Sequence, residues 1–295
     1  MPYRFIKGEY QVVGAQPDGD SVRFRPTNPD LLKGFPQGDA EITKSGATKG
    51  TCQLRMEGLD ALELHFTTPA DHQEIKAALR ARKVLLMDLL GFQDVQFNAN
   101  ETATSSVPQT ISGYILTNGL DNKRNKRPVA FLSTGSTTRA DGANVFVTAS
   151  MLTDSINARL LAAGEVYPLY YDNLPADLRD ALTKLAVQAR AKGKGLWPAD
   201  KSLKGIKATS KEDLKKYVFF PKLYRRLKDY FVKTGNTSLS GFDAWVRSDP
   251  TKKRDDMVWI TPLMELGNLH NVYKVTGNRI KVLYQQEELV FKSEG

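Results

Sequence analysis

"QLRMEGLDALE", residues 53–63, begins as a strand and ends as a cluster of charge. With Cys52 ahead of it, Cys52, Leu54 and Met56 alternate with Gln53, Arg55 and Glu57. That period of two is the signature of a half-buried strand, and it sends Arg55 away from the core. Two carboxylates, Asp60 and Glu63, follow directly. Nearby carboxylates repel unless a proton or cation lies between them, and a hard cation with oxygen ligands such as calcium is a natural answer. An Arg beside acids is, however, usually a surface ion pair worth little, and residue types alone leave both readings open.

Upstream, EYQVVGA and SVRFRP flank a turn containing Asp18-Gly19, which predicts two short strands, with Asp20 just past the turn. Downstream, apolar residues recur at helical spacing between Ala70 and Leu90, predicting a helix that closes on Gly91. Residues 94–109, rich in Asn, Thr and Ser, lack any such pattern and read as a long loop. ISGYILTNG and RPVAFLSTG predict strands separated by the basic DNKRNK, and Arg127 stands at the start of the second. A short NVFVT strand, a helix over about 149–163 stopped by Gly164, and a helix over about 175–192 complete this part.

Residues 201–209 are lysine-rich and polar and read as a linker between a domain at 1–200 and a smaller module at 210–295. In the module, helices are expected over about 210–233 and 240–247, the latter with Ser240 as N-cap, followed by a hairpin turning at Gly277-Asn278. The stretch KKYVFFPKLYRRLKDYF mixes aromatics with cations. Its aromatics are assigned mainly to the module's core and its cations to phosphate binding.

Composition bounds the rest. The chain has 295 residues, 41% of them hydrophobic and 25% charged, as expected of a folded globular protein of one large or two medium domains. No apolar run is long enough to span a membrane, the N-terminal residues lack a leader pattern, and the single Cys52 suits a reducing compartment. A cytoplasmic protein is expected. Net charge is +9, and residues 201–295 hold 19 Lys and Arg against 11 acids. This suits a nucleic-acid partner, although a merely soluble basic domain would have the same balance. The histidines, His65, His72 and His270, have no metal-ligand spacing.

The ordered series DGDSVRF, RMEGLDALE, KRPVAFLSTG, SINARLLAAGEVYPLYY and KGKGLW resembles the staphylococcal-nuclease-like (thermonuclease) family over about residues 8–200. The resemblance implies an α+β fold: a five-stranded OB-type β-barrel with three helices, here followed by a smaller α+β C-terminal domain. It implies a calcium-dependent nuclease acting on DNA, RNA or both. Position by position, Asp20, Asp60 and the backbone carbonyl of Ala61 match the calcium ligands, Glu63 the carboxylate that activates water, and Arg55 and Arg127 the phosphate clamp. Lys123, Arg124 and Lys126 fall in the loop that meets a neighbouring phosphate, and Tyr170 and Tyr171 near nucleotide-packing tyrosines.

Leu62 departs from the family pattern, which has proline there, so the loop carrying Glu63 is less constrained. The segment around residues 92–110 is longer than in the family. The resemblance also leaves room for restraint by a regulatory partner or a homo-oligomer, and for a conditional role in defence or repair. The alternative is a non-catalytic nucleic-acid-binding or scaffold protein on the same fold. Such members usually lose the acids and arginines that this chain keeps.

Overall fold

Alternating apolar residues in five segments close a β-barrel in this computed structural model, which describes residues 2–68, 70–249, 251 and 254–293. The strands are β1 (Tyr3–Gln11), β2 (Ser21–Pro26), β3 (Cys52–Met56), β4 (Thr110–Leu120) and β5 (Pro128–Thr134). Neighbours run β1-β2-β3-β5-β4 and back to β1, antiparallel everywhere except between β3 and β5. Ile6, Tyr10, Phe24, Leu54, Ile115 and Leu132 share the inner face and are buried. Gly8 pairs with Gly113 on β4. A Cβ at Gly8 would meet the Arg25 carbonyl at 2.2 Å, and one at Gly113 the Ser133 carbonyl at 2.4 Å, so both glycines permit the close strand approach.

The registers place the expected charged groups at one rim. Ser21 opposes Arg55 across the β2–β3 pair, and Arg55 opposes Val129 across the β3–β5 pair. Asp20 and Arg127, just ahead of Ser21 and Val129, are thereby brought to the end of β3.

Helix α1 (Ile75–Lys83) starts at Glu74, whose carboxylate accepts from the Lys76 and Ala77 N–H groups, and continues as a π-helical turn, Val84–Leu90, to the left-handed Gly91. Residues 94–109 correct the sequence reading. They are no loop but contribute most of a hairpin, Gln93–Phe97 with Ala103–Val107. Asn98 closes its turn by accepting from the Asn100 and Thr102 N–H groups at 2.9 and 3.1 Å. Val95 and Ala103 supply a narrow buried face, and the guanidinium of Arg82 lies 3.7 Å from the Phe97 ring centroid. The polar Asn, Thr and Ser content decorates the outer face and hides the strand pattern.

The helix expected over 149–163 is two helices, α2 (Ala149–Thr153) and α3 (Ile156–Ala163), because Ser155 caps the second by accepting from the Ala158 N–H at 3.1 Å. Helix α4 spans Ala176–Ala191. The segment expected as a linker carries Ile206–Lys207, a short strand paired with Arg279–Val282. The helix expected over 210–233 is likewise split into α5 (Lys211–Leu214) and α6 (Pro221–Thr234), since proline is favoured in a first turn and disfavoured inside a helix. Helix α7 (Phe242–Arg247) is capped at Gly241 rather than Ser240. The hairpin Tyr273–Thr276 with Arg279–Val282 turns at Gly277-Asn278, as expected.

Phe219, Phe220, Tyr224, Leu227, Tyr230, Phe231, Phe242, Ile280 and Phe291 form a second buried cluster with Leu169. The aromatics of the basic stretch are therefore mostly core. The two cores are joined firmly: Tyr170–Tyr171 pairs in parallel with Leu289–Phe291, which itself pairs with Met257–Ile260. Among the described residues, no helix is long and apolar enough to cross a membrane.

Candidate active site

The loop after β3 folds back across the barrel rim. The Met56 N–H donates to the Asp20 carbonyl at 3.1 Å, and the Ala61 N–H donates to the Asp20 carboxylate at 3.3 Å. Leu59–Asp60 then pairs with Tyr167–Pro168, which fixes Asp60 at full burial. Arg55 reaches it from β3, with Nη2 3.5 Å from the Asp60 Oδ1. At Glu63 the backbone N–H donates to the side chain of Gln73 at 3.1 Å. A buried side chain thus anchors the loop that carries Glu63.

Asp20, Arg55, Ala61, Glu63 and Arg127 all line one cleft of about 660 Å³. Asp60 lies behind its wall, connected through Arg55. Arg127 is held open-handed at the rim: its Nε donates to Asp121 at 2.8 Å and its backbone N–H to the same carboxylate at 3.0 Å. From the preceding loop Arg124 also lines the cleft, whereas exposed Lys123 and half-buried Lys126 are not among its lining residues.

The tyrosine pair divides. Tyr171 lines the cleft. Tyr170 is 1% exposed and its hydroxyl lies 3.0 Å from Thr183 Oγ1, so the expectation that it packs on a nucleotide is corrected: it is core. Adjacent residues of an extended segment face opposite sides, and only one of the two can face the cleft.

Arg225 belongs to the cations that the sequence reading assigned to phosphate binding, and its carboxylate partners were not foreseen. This side chain of α6 enters the carboxylate cluster, with Nη2 2.8 Å from Asp60 Oδ2, Nη1 3.2 Å from Asp60 Oδ1 and Nη1 2.5 Å from Glu63 Oε1. It is a fork-to-carboxylate pair extended to a second acid. Lys222 from the same helix also lines the cleft, 3.3 Å from Asp256. The one local signal was the run of cations at helical spacing on a helix whose other face is aromatic. Gln73, fully buried, was missed for the same reason: a lone Gln in a polar stretch carries no pattern.

Electrostatics follow from this crowding. Burial and the neighbouring Asp18, Asp60 and Glu63 hold the Asp20 carboxyl well above the usual range, with Arg55 pulling the other way. Burial raises Glu63 too, against the opposing charge of Arg225. Arg225 and Arg55 stay firmly charged: Asp60 and Glu63 outweigh burial at Arg225, and Tyr171, Asp60 and Asp20 outweigh it at Arg55. Glu57, at 2% exposed, is pushed up by burial to about 7.

Asp20, Asp60 and Glu63 are hard oxygen donors of the kind calcium takes. In this arrangement, however, Arg225 holds both oxygens of Asp60 and one of Glu63. Among the described residues no cluster of three or more His, Cys, Asp or Glu side chains is placed to hold a metal ion. The donor chemistry suits the ion, but the geometry with Arg225 seated does not.

A scan against protein-family models matches no family, and a search of curated proteins finds no match.

Proposed function

We propose that the protein is a staphylococcal-nuclease-like, metal-dependent nuclease that hydrolyses phosphodiester bonds of DNA, RNA or both. The carrying observation is the meeting of Asp20, Arg55, Glu63 and Arg127 on one cleft, with Asp60 bound to Arg55 behind it. The closed order β1-β2-β3-β5-β4 with a single parallel pair supports reading the barrel as OB type. The second buried cluster supports reading residues 210–295 as a smaller module.

In this reading the scissile phosphate lies between Arg55 and Arg127. Their planar, permanently charged forks match the charge that builds up on phosphorus oxygens during attack. Glu63 takes the proton of the attacking water, and its burial raises its affinity for that proton, as a general base requires. Arg124 and Tyr171 meet the neighbouring nucleotide. With Arg225 displaced, Asp20, Asp60 and the Ala61 carbonyl would hold the calcium this reading carries, which would supply positive charge beside the phosphate.

The seated Arg225 favours a second reading, a nucleic-acid-binding protein without turnover, because a guanidinium bound to Asp60 and Glu63 takes the metal's oxygens and occupies the base. End-labelled DNA and RNA oligonucleotides, incubated with calcium or with a chelator, separate the two. Calcium-dependent fragments support the nuclease. Retention on a binding assay with uncut strands at every divalent concentration supports the second reading.

A further inference from the structure

We propose that Arg225 and a divalent cation are rival occupants of the Asp60–Glu63 pair, so that α6 sets how much cation the cleft requires. This inference rests on the nuclease reading and adds regulation to it.

The rivalry follows from position and charge. Arg225 spans Asp60 and Glu63 with three contacts of 2.5 to 3.2 Å, so a cation taking oxygens from both must remove it. Ionised, Asp18, Asp20, Asp60 and Glu63 carry four negative charges, and Arg55 and Arg225 return two. Removing Arg225 leaves one more negative charge unbalanced and frees the carboxylate oxygens it holds, so the attraction for a dication rises. In a buried site, where charges interact strongly, both cannot be seated together.

The exchange is a movement of one side chain, since the helix itself is pinned. Lys228 lies 3.4 Å from Asp71 and donates to Thr67, and Lys222 sits 4.3 Å from the Phe291 ring centroid. The Gln73 side chain donates to the Phe219 carbonyl at 2.7 Å, tying the start of α6 to the loop that carries Glu63. The cleft beside Arg225 gives its guanidinium room to swing away while the backbone of α6 stays.

The test is calorimetric titration of calcium into the full-length protein and its Arg225→Gln variant, without nucleic acid, beside a cleavage assay. The expected result is that Arg225→Gln binds calcium at least about tenfold more tightly than the parent. A companion melting experiment should show the variant less stable in chelator and stabilised by calcium more than the parent, because buried Asp60 loses its two contacts to Arg225 and keeps only the 3.5 Å contact to Arg55. Equal affinities in two proteins that cut DNA overturn the rivalry and leave the nuclease reading standing. Tighter binding by the variant with no cleavage by either protein upholds the rivalry and overturns the nuclease. Cleavage by both with no calcium bound by either also overturns the rivalry. Should Arg225→Gln fail to fold, Arg225→Lys takes its place: it keeps the charge but loses the fork, and calcium affinity equal to the parent's then overturns the rivalry.

Discussion

The side-chain oxygen of Gln73 accepts the backbone N–H of Glu63 at 3.1 Å while its amide nitrogen donates to the carbonyl of Phe219 at 2.7 Å. One fully buried side chain thus positions the loop of the proposed base and docks it to the segment that begins α6. Replacing it strands two buried backbone groups, each costing about 1–3 kcal/mol. Gln73→Ala should therefore lose at least about 2 kcal/mol in urea unfolding and slow cleavage without weakening DNA binding. Parental stability and rate would show that the bridge carries no weight.

Glu57 gives a pH-dependent signature. Its carboxyl is raised by burial from its ordinary 4.5 to about 7, with Arg55 opposing, and its Oε2 has no hydrogen-bond partner among the described residues. Between those pH values the folded state binds more protons than the unfolded chain, so stability falls as pH rises through the window. Glu57→Gln should flatten that fall and be more stable than the parent at pH 8, on the order of 3 kcal/mol. Denaturant midpoints measured across the range check this, and parallel curves would contradict it.

Asp71 acts with the opposite sign. Burial opposes its ionisation, but hydrogen bonds from Thr67 and Thr68 and the charges of Lys228 and Lys211 prevail and hold it at about 2 against 3.8. Its stabilising contribution is present above 3.8 and disappears as pH falls towards 2. Asp71→Asn should lower stability at neutral pH and show a shallower acid limb than the parent. Because Asp71 binds Lys228 and Lys211, loosening of α5 and α6 should accompany it, read by amide exchange.

Arg127 offers the cleanest loss of activity. It is anchored to Asp121 at the rim, at 25% side-chain exposure. Arg127→Ala should lower cleavage by about a hundredfold or more with a melting temperature near the parent's. Arg55→Ala should lower cleavage as much but also cost stability, because Asp60 behind it is fully buried. An Arg127→Ala variant cutting at the parental rate would remove Arg127 from the proposed clamp.

Much of the barrel was legible because its strands keep a period of two around a single core, as in Cys52, Leu54 and Met56. The approach of Asp20, Arg55 and Arg127 was legible through the order of motifs, which the β2–β3 and β3–β5 registers explain. The hairpin at 93–107 was not, since its stability comes from the Asn98 turn and two small buried residues rather than from an apolar face. Tyr170 was misassigned because a shift of one position exchanges the faces of an extended segment. Arg225 was out of reach: its partners lie 162 and 165 positions away, and local pattern states only that it sits on a helix.

The most direct measurement is incubation of circular single-stranded DNA with the protein in millimolar calcium, with Glu63→Gln and a chelator as controls. The expected result is a linear product followed by shorter fragments with the parent, and intact circles with the variant or the chelator. Intact circles with the parent at saturating calcium, or equal cutting by Glu63→Gln, would contradict the assignment of this cleft as a phosphodiesterase site.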